Sequence, residues 1–469
     1  MSIRESDMTF ARQLAAYASS FKFDGVSDEA VDAAKVVLLD TLGCALGAIG
    51  CDAAAILEAT VMDTGGLPEA TIFGSGIRTN VLNALLVNGA LVRYLEGHDN
   101  YLVVKPTGVT GCHPSDTIAM ILALAERQGA TGRDVLAAIV LAYQLYGRLA
   151  HCEVSPLASK GWTPEGKAPL VTPLIAGKLL QLSEAQMERA VGISGSHGFP
   201  LGILDTDGEE LTMTRNIRFA RVAYQGVLAA YQAARGFTGV RRVVEGNRGW
   251  AEVVMHGDFD ANLLELDPAK VGYVVASPQI RQFCADGTQA GFLDATHRLV
   301  IDHDLRASDI AHVTLRATPR CVTHCGGPEK RDPRTKEEAD HSVYYTTASL
   351  ILYSALGAVE YSLDNLFRTE LRDFMDRIEI VPDPSFDAIA ISGACEITLV
   401  SGQVLSAQVD YPRGHPRNPM TYEEVAEKFM HLSAPVIGDG EARSLERSVA
   451  CLDEAPSIDS IIERMRVGA

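Results

Sequence analysis

A chain of 469 residues with 47% apolar and 22% charged residues has the composition of an ordinary globular protein, and it is too long for one compact core. Its 41 Lys and Arg against 60 Asp and Glu give a net charge of −19, which argues against nucleic-acid binding, since that needs a concentrated basic surface. A small anionic ligand stays allowed, because a pocket can be locally basic on an acidic protein. Arg4, Glu5 and Asp7 interrupt the first ten residues, so no secretory signal is expected there. The runs Val36 to Ile49 and Ile118 to Ala125 are too short or interrupted to span a bilayer, and no membrane partner is expected. Nine scattered cysteines fit reduced thiols in a cytoplasmic protein better than a disulfide framework.

In chain order, apolar residues recurring at helical spacing predict helices over 28–49, 80–96, 118–128 and 132–150, with Gly129 and Gly132 marking a break. Ser183 with Gln186 forms a capping box that opens a helix to about Ser194. A further helix over 217–235 is stopped by Gly236. No convincing period-two stretch precedes residue 260. After Pro268 the character changes: 271–275, 310–317, 377–382, 394–400 and 403–409 are short and β-branched, the last two joined through Ser401-Gly402 as a hairpin. Helices are predicted between them over 289–302 and 340–356, and a capping box at Thr421 and Glu424 returns the chain to helix. The expected architecture is mainly α: a large all-helical domain (1–266), an inserted α+β lid domain (267–411) and a C-terminal helical return (412–469).

Residues 333–345 gather a carboxylate, an imidazole, a hydroxyl and two phenols where a helix begins, with Thr335 and Glu338 as another capping box. His341 shares a helix face with Tyr344 or Tyr345. Cys321 and Cys325, with His324 between them, form a cluster with a metal-like look, but no clear fourth ligand for zinc accompanies them and no metal is expected.

Four further strings bear on function: Leu38 to Cys44 with its single carboxylate Asp40, Glu96-Gly97-His98-Asp99-Asn100, His113-Pro114-Ser115-Asp116, and Tyr411 to Pro419 reading YPRGHPRNP. Taken in this order together with Ala339-Asp340-His341-Ser342, they resemble the MmgE/PrpD family, which includes 2-methylcitrate dehydratases and cis-aconitate decarboxylases. The resemblance runs from about residue 10 to 455. It implies a homodimer, an active site in the cleft between helical and lid domains, and neither metal nor organic cofactor.

Residue by residue, the resemblance makes His113 the active-site histidine, set just before a helix for which Ser115 is the expected cap. Glu96 falls where relatives open a DFxDT-like string with aspartate, Asp99 matches its second carboxylate and Asn100 its threonine. These acids are expected to orient His113 or to hold a substrate hydroxyl. Between them and His113 lies a loop, 101–112, longer than the family usually has, which contributes Lys105. Tyr345 matches an active-site tyrosine four residues after His341, itself a substrate-binding candidate. Arg215 and Arg281 fall where lysines are common; arginine clamps a carboxylate well but transfers protons poorly. Arg218 and Arg221 read as a solvated helix face. Thr163 occupies the histidine position of a GWHPT-like string, and Gln289 stands where decarboxylase-like members have another histidine.

The implied chemistry is elimination or addition of water on a small di- or tricarboxylate, in the manner of 2-methylcitrate dehydratase. His113 would serve as base, Tyr345 as acid, and Arg215 and Arg281 as carboxylate anchors. Epimerisation of a dicarboxylic acid uses the same proton chemistry, decarboxylation is a third outcome, and a carboxylate-binding protein that kept the fold is the non-enzymatic one.

Overall fold

The computed structural model describes residues 8–467. The protein is mainly α-helical. The helix Asp28–Gly47 is buried along nearly all of its C-terminal half, where Leu38, Leu39, Leu42 and Leu46 are fully enclosed. Each such leucine contributes roughly 1.5–3 kcal/mol through removal from water. This helix packs against Val81–Tyr94, against Gly132–Cys152 and, across almost the whole sequence, against Tyr422–Ile437. The C-terminal segment thus completes the helical core, held by Lys428 Nζ on Asp40 Oδ1 at 2.6 Å. Gly132–Cys152 is long and apolar enough to cross a bilayer by length and composition, yet it lies packed inside the protein.

The predicted helices form with boundaries set by local chemistry. Thr131, Ser183 and Thr421 each cap a helix through a complete reciprocal box. Thr335 also accepts from Glu338 N, but the Glu338 carboxylate turns to Arg334 N instead, so that box is half-made. The helix after it is a single turn, Lys336–Ala339, and a second begins at Val343 with Ser342 as its cap.

A four-stranded sheet lies in the second half, in the order Ile378–Pro382, Ile310–Ala317, Gly393–Leu399, Val404–Val409. The first pair is parallel and the others antiparallel. The helix Ala290–Asp302 covers it at Gly291, where an added Cβ would lie 2.2 Å from Ile391 O. Two strand expectations need correction. Residues 271–275 form no strand: a helical turn ends at Val271, Gly272 takes φ 72°, and Val274 and Val275 insert into the core from a 3-10 turn. Conversely, the expected loop 101–112 is a hairpin, pairing Tyr101–Lys105 with Gly108–Cys112. Lys105 leans back to donate to His151 O at 2.6 Å.

Candidate active site

Three segments build the site. After the helix Val81–Tyr94, Glu96 adopts a left-handed backbone (φ 51°), which costs a residue with a Cβ roughly 1–2 kcal/mol and turns its side chain inward. There its carboxylate meets three buried guanidinium groups: Arg93 Nε at 3.3 Å, Arg215 Nη2 at 3.4 Å and Arg281 Nη1 at 3.0 Å. Burial alone would raise the Glu96 pKa, but the three arginines outweigh it and hold the group well below the usual carboxylate range. Arg281 also donates to the Glu96 and Ala285 carbonyls, at 2.6 and 3.1 Å.

His113 follows the second hairpin strand and precedes a 3-10 turn, Pro114–Thr117. Its Nδ1 lies 2.8 Å from Asp99 O. A carbonyl can only accept, so Nδ1 carries the proton and Nε2 keeps its lone pair. Burial, then the neighbouring Arg93 and His98, push the His113 pKa well below 6.5, so the ring is neutral. Its side chain is 7% exposed, and its ring sits 5.2 Å from that of His98.

The orienting group is therefore the backbone of Asp99, not a carboxylate. The Asp99 side chain is occupied elsewhere, accepting from Ser115 Oγ and, at 2.8 Å, from Tyr143 OH. Ser115 thus donates to Asp99 and does not cap the following helix. Burial pushes the Asp99 carboxyl up to about 7, against those hydrogen bonds.

Other expected residues are placed as follows. Arg215 bridges Glu96, Asp205 Oδ1 at 3.1 Å and His341 Nδ1 at 3.1 Å. His341 is fully buried, with its Nδ1 on Asp340. Asn100 pairs through its backbone with Gln279, which draws the Arg281 segment to the Glu96 segment. Gly414 (φ 91°) of the YPRGHPRNP string presses on the same segment, where a Cβ would sit 1.7 Å from Ile280 O. Thr163 is buried at the start of the 3-10 turn Pro164–Lys167, which carries Glu165. Gln289 donates to Asp340 O at 2.8 Å and accepts from Thr346 at 2.6 Å, so it braces the 340–346 segment.

Tyr345 is the main departure. Its hydroxyl donates to Glu360 O and its ring stacks on Tyr361 with centroids 5.8 Å apart. Burial raises its pKa further, and the group is committed to fastening its helix to the turn at Glu360 and Tyr361 rather than to the cluster around His113.

Sequence reasoning missed the centre of the network. Arg93 is 1% exposed and binds Asp116 at 3.2 Å and His98 Nε2 at 2.9 Å as well as Glu96. Its i,i+3 spacing to Glu96 was a readable signal. Arg218, expected on a solvated face, is buried and donates to Glu165 at 3.1 Å and Asp205 at 3.0 Å; Arg221 is exposed as expected. Burial pushes Asp116 up to about 6 in spite of Arg93. Lys428 donates to Gly97 O at 2.6 Å and Arg281 O at 2.7 Å, so one ammonium fastens both site segments to Asp40.

A neutral imidazole with a free Nε2, two carboxyls titrating near neutrality and a set of buried arginines suit proton transfer on an anion in a mainly helical scaffold. The MmgE/PrpD N-terminal domain matches residues 12–262 and the MmgE/PrpD C-terminal domain residues 283–454, and the chain belongs to this family. It is similar to cis-aconitate decarboxylase of Homo sapiens, with 23% identity over 92% of this chain and 89% of that one. It is likewise similar to the 2-methylcitrate dehydratase of Cupriavidus necator, 23% identical over 84% of each chain, and to that of Escherichia coli K12, 23% identical over 83% of each.

Proposed function

We propose that the protein is an enzyme of acid/base type that adds or removes water on a small di- or tricarboxylate, in the manner of the 2-methylcitrate dehydratases it is similar to. The observation that carries this reading is the fixed tautomer of His113: Nδ1 is pinned by Asp99 O, and Nε2 is a base beside the arginines. Elimination from a β-hydroxy acid needs a base at the carbon next to a carboxylate and cations to stabilise the charge that builds there. Arg215 and Arg281 supply the cations, and a bound polyanion raises the His113 pKa towards working pH as it arrives. The proton donor is Asp116, whose carboxyl titrates at about 6 and lies 3.2 Å from His98 Nε2, one ring from His113. The 267–411 portion acts as a lid over the cleft. A homodimer in the cytoplasm belongs to the same proposal, and sedimentation velocity tests the dimer.

The commitment of Tyr345 to Glu360 favours a second reading, because it removes one expected proton donor. In this reading Asp116 delivers no proton to a leaving group, and the single base exchanges a proton beside a carboxylate and returns it, as an epimerase or isomerase does. Proton NMR in D₂O with 2-methylcitrate, citrate, cis-aconitate and substituted succinates separates the readings. A new olefinic signal from a hydroxy acid supports the dehydratase, and deuterium uptake without loss of water supports the isomerase. Loss of CO₂ from cis-aconitate would assign a decarboxylase. Saturable binding without any exchange would refute enzymatic function.

A further inference from the structure

A second cluster of ionisable groups, with buried histidines and partly exposed carboxylates, lies beyond Arg215. Asp205, on the 3-10 turn Gly202–Asp205, meets His324 of the helix Pro319–Cys325 and His341. The ligand atoms of these three lie within 4.8 Å of one another. Each imidazole is oriented from behind by a carboxylate: His324 Nδ1 lies 2.5 Å from Asp207 Oδ1, and His341 Nδ1 donates to Asp340 Oδ1, so that Arg215 Nη1, 3.1 Å from the same nitrogen, is a neighbouring charge and not a hydrogen-bond donor to it. Such a carboxylate fixes the tautomer and strengthens the opposite nitrogen as a metal ligand. Both Nε2 atoms then face a further carboxylate without reaching it. His324 Nε2 is 3.8 Å from Asp205 Oδ1, and His341 Nε2 is 3.7 Å from Asp286 Oδ2. Among the described residues, the fully buried His341 Nε2 has no hydrogen-bond partner.

Separations of 3.7–3.8 Å are too long for hydrogen bonds. The 3.8 Å between His324 Nε2 and Asp205 Oδ1 is what two ligands of one ion show when each bond is about 2.0–2.2 Å. We propose that His324, His341 and Asp205 bind a divalent first-row metal ion, with zinc the best match to their imidazole and carboxylate donors and Asp286 as the adjacent carboxylate. Four carboxylates, Asp205, Asp207, Asp286 and Asp340, surround the position. Arg215, which touches Asp205 and His341, and Lys336, on Asp340 at 2.6 Å, offset part of that charge. The ion would tie the turn bearing Asp205 to the segments bearing His324 and His341. The resemblance to the family implies no metal, so this site is a property of this chain's own residues and does not depend on the proposed reaction.

Two arrangements compete with it. In one, protons occupy the histidines as imidazolium–carboxylate pairs with Asp207 and Asp340. In the other, Cys325 replaces His341, since Asp286, His324 and Cys325 also cluster. The Cys325 thiol is already engaged, with Sγ 3.6 Å from Asp286 Oδ1 and 3.8 Å from Thr288 Oγ1, which disfavours it as a ligand.

The test is calorimetric titration of zinc chloride into the full-length chain after dialysis against a chelator. One equivalent is expected to bind per chain, with affinity unchanged in Cys325→Ser and at least tenfold weaker in His324→Gln and His341→Gln. Absence of saturable binding, or undiminished affinity in both histidine variants, would overturn the proposal. Cobalt(II) added to the parent protein gives a readout that needs no variant. Weak ligand-field bands of a nitrogen and oxygen site support the proposal. A strong sulfur-to-metal charge-transfer band, or no bands, contradicts it.

Discussion

Asp99→Asn probes the electrostatic description of the site most sharply. The Asp99 carboxyl is wholly buried, and burial lifts its pKa from 3.8 to about 7, with repulsion from Asp40 adding and the Ser115 and Tyr143 hydrogen bonds opposing. The native state therefore holds a proton that the unfolded chain gives up near pH 4. That contribution is complete below pH 3.8 and is lost as pH rises through about 7. The interval spans about three pH units at about 1.4 kcal/mol each, so roughly 4 kcal/mol of stability is at stake across it. Asparagine fills the same space: Oδ1 accepts from Ser115, and Nδ2 donates to the Tyr143 hydroxyl, which is free to rotate. The variant costs at most about 1 kcal/mol at pH 5, a hydrogen-bond adjustment. By pH 7 it gains roughly 2–3 kcal/mol on the parent as the parent's penalty grows. Urea denaturation of both proteins at pH 5, 6, 7 and 8 reads this out. Parallel stability curves, with no closing of the gap as pH rises, would refute the assignment of a raised carboxyl at Asp99.

Glu96→Gln strips the shared counter-charge from Arg93, Arg215 and Arg281, and a loss of roughly 3–5 kcal/mol in urea is expected, as for breaking a buried ion pair. Tyr345→Phe removes a hydroxyl that only tethers Glu360, so turnover stays within a few-fold while stability falls by about 1 kcal/mol; a hundredfold loss of turnover with the fold intact would restore Tyr345 as the acid. Lys428→Met unfastens the Gly97 and Arg281 carbonyls from Asp40, and a tenfold or greater fall in kcat/KM is expected from the misplaced anchors. Steady-state kinetics that match the parent would show that these segments hold their positions without it.

Helices were legible because their determinants are local: the boxes at Ser183 and Thr421 and the stop at Gly129 need only neighbouring residues. The hairpin ending at Val409 was equally local, through Ser401-Gly402 and alternating apolar residues. The run at 271–275 misled because β-branched residues that plug a core look the same as those that pair in a sheet, and only the environment tells them apart. Around 101–112 the turn signal was present in Pro106-Thr107-Gly108, with Gly108 at φ 140°, but the flanking strands are short and half-buried. At the site, resemblance located His113 and Glu96, whereas the partners that set their state did not follow from spacing. Asp116 and Glu165 reach Arg93 from segments 23 and 72 positions away in number, and a charge inside an apolar helix otherwise reads as a side chain heading for solvent.

In the proposed reaction His113 Nε2 removes the proton. Proton NMR in D₂O, run side by side on the parent and His113→Ala with 2-methylcitrate, citrate and cis-aconitate, tests it directly. Product or deuterium exchange is expected from the parent, and a rate lower by about 10²–10⁴-fold from the variant, whose circular dichroism is unchanged. Equal rates from the two proteins would contradict it and remove His113 from the reaction.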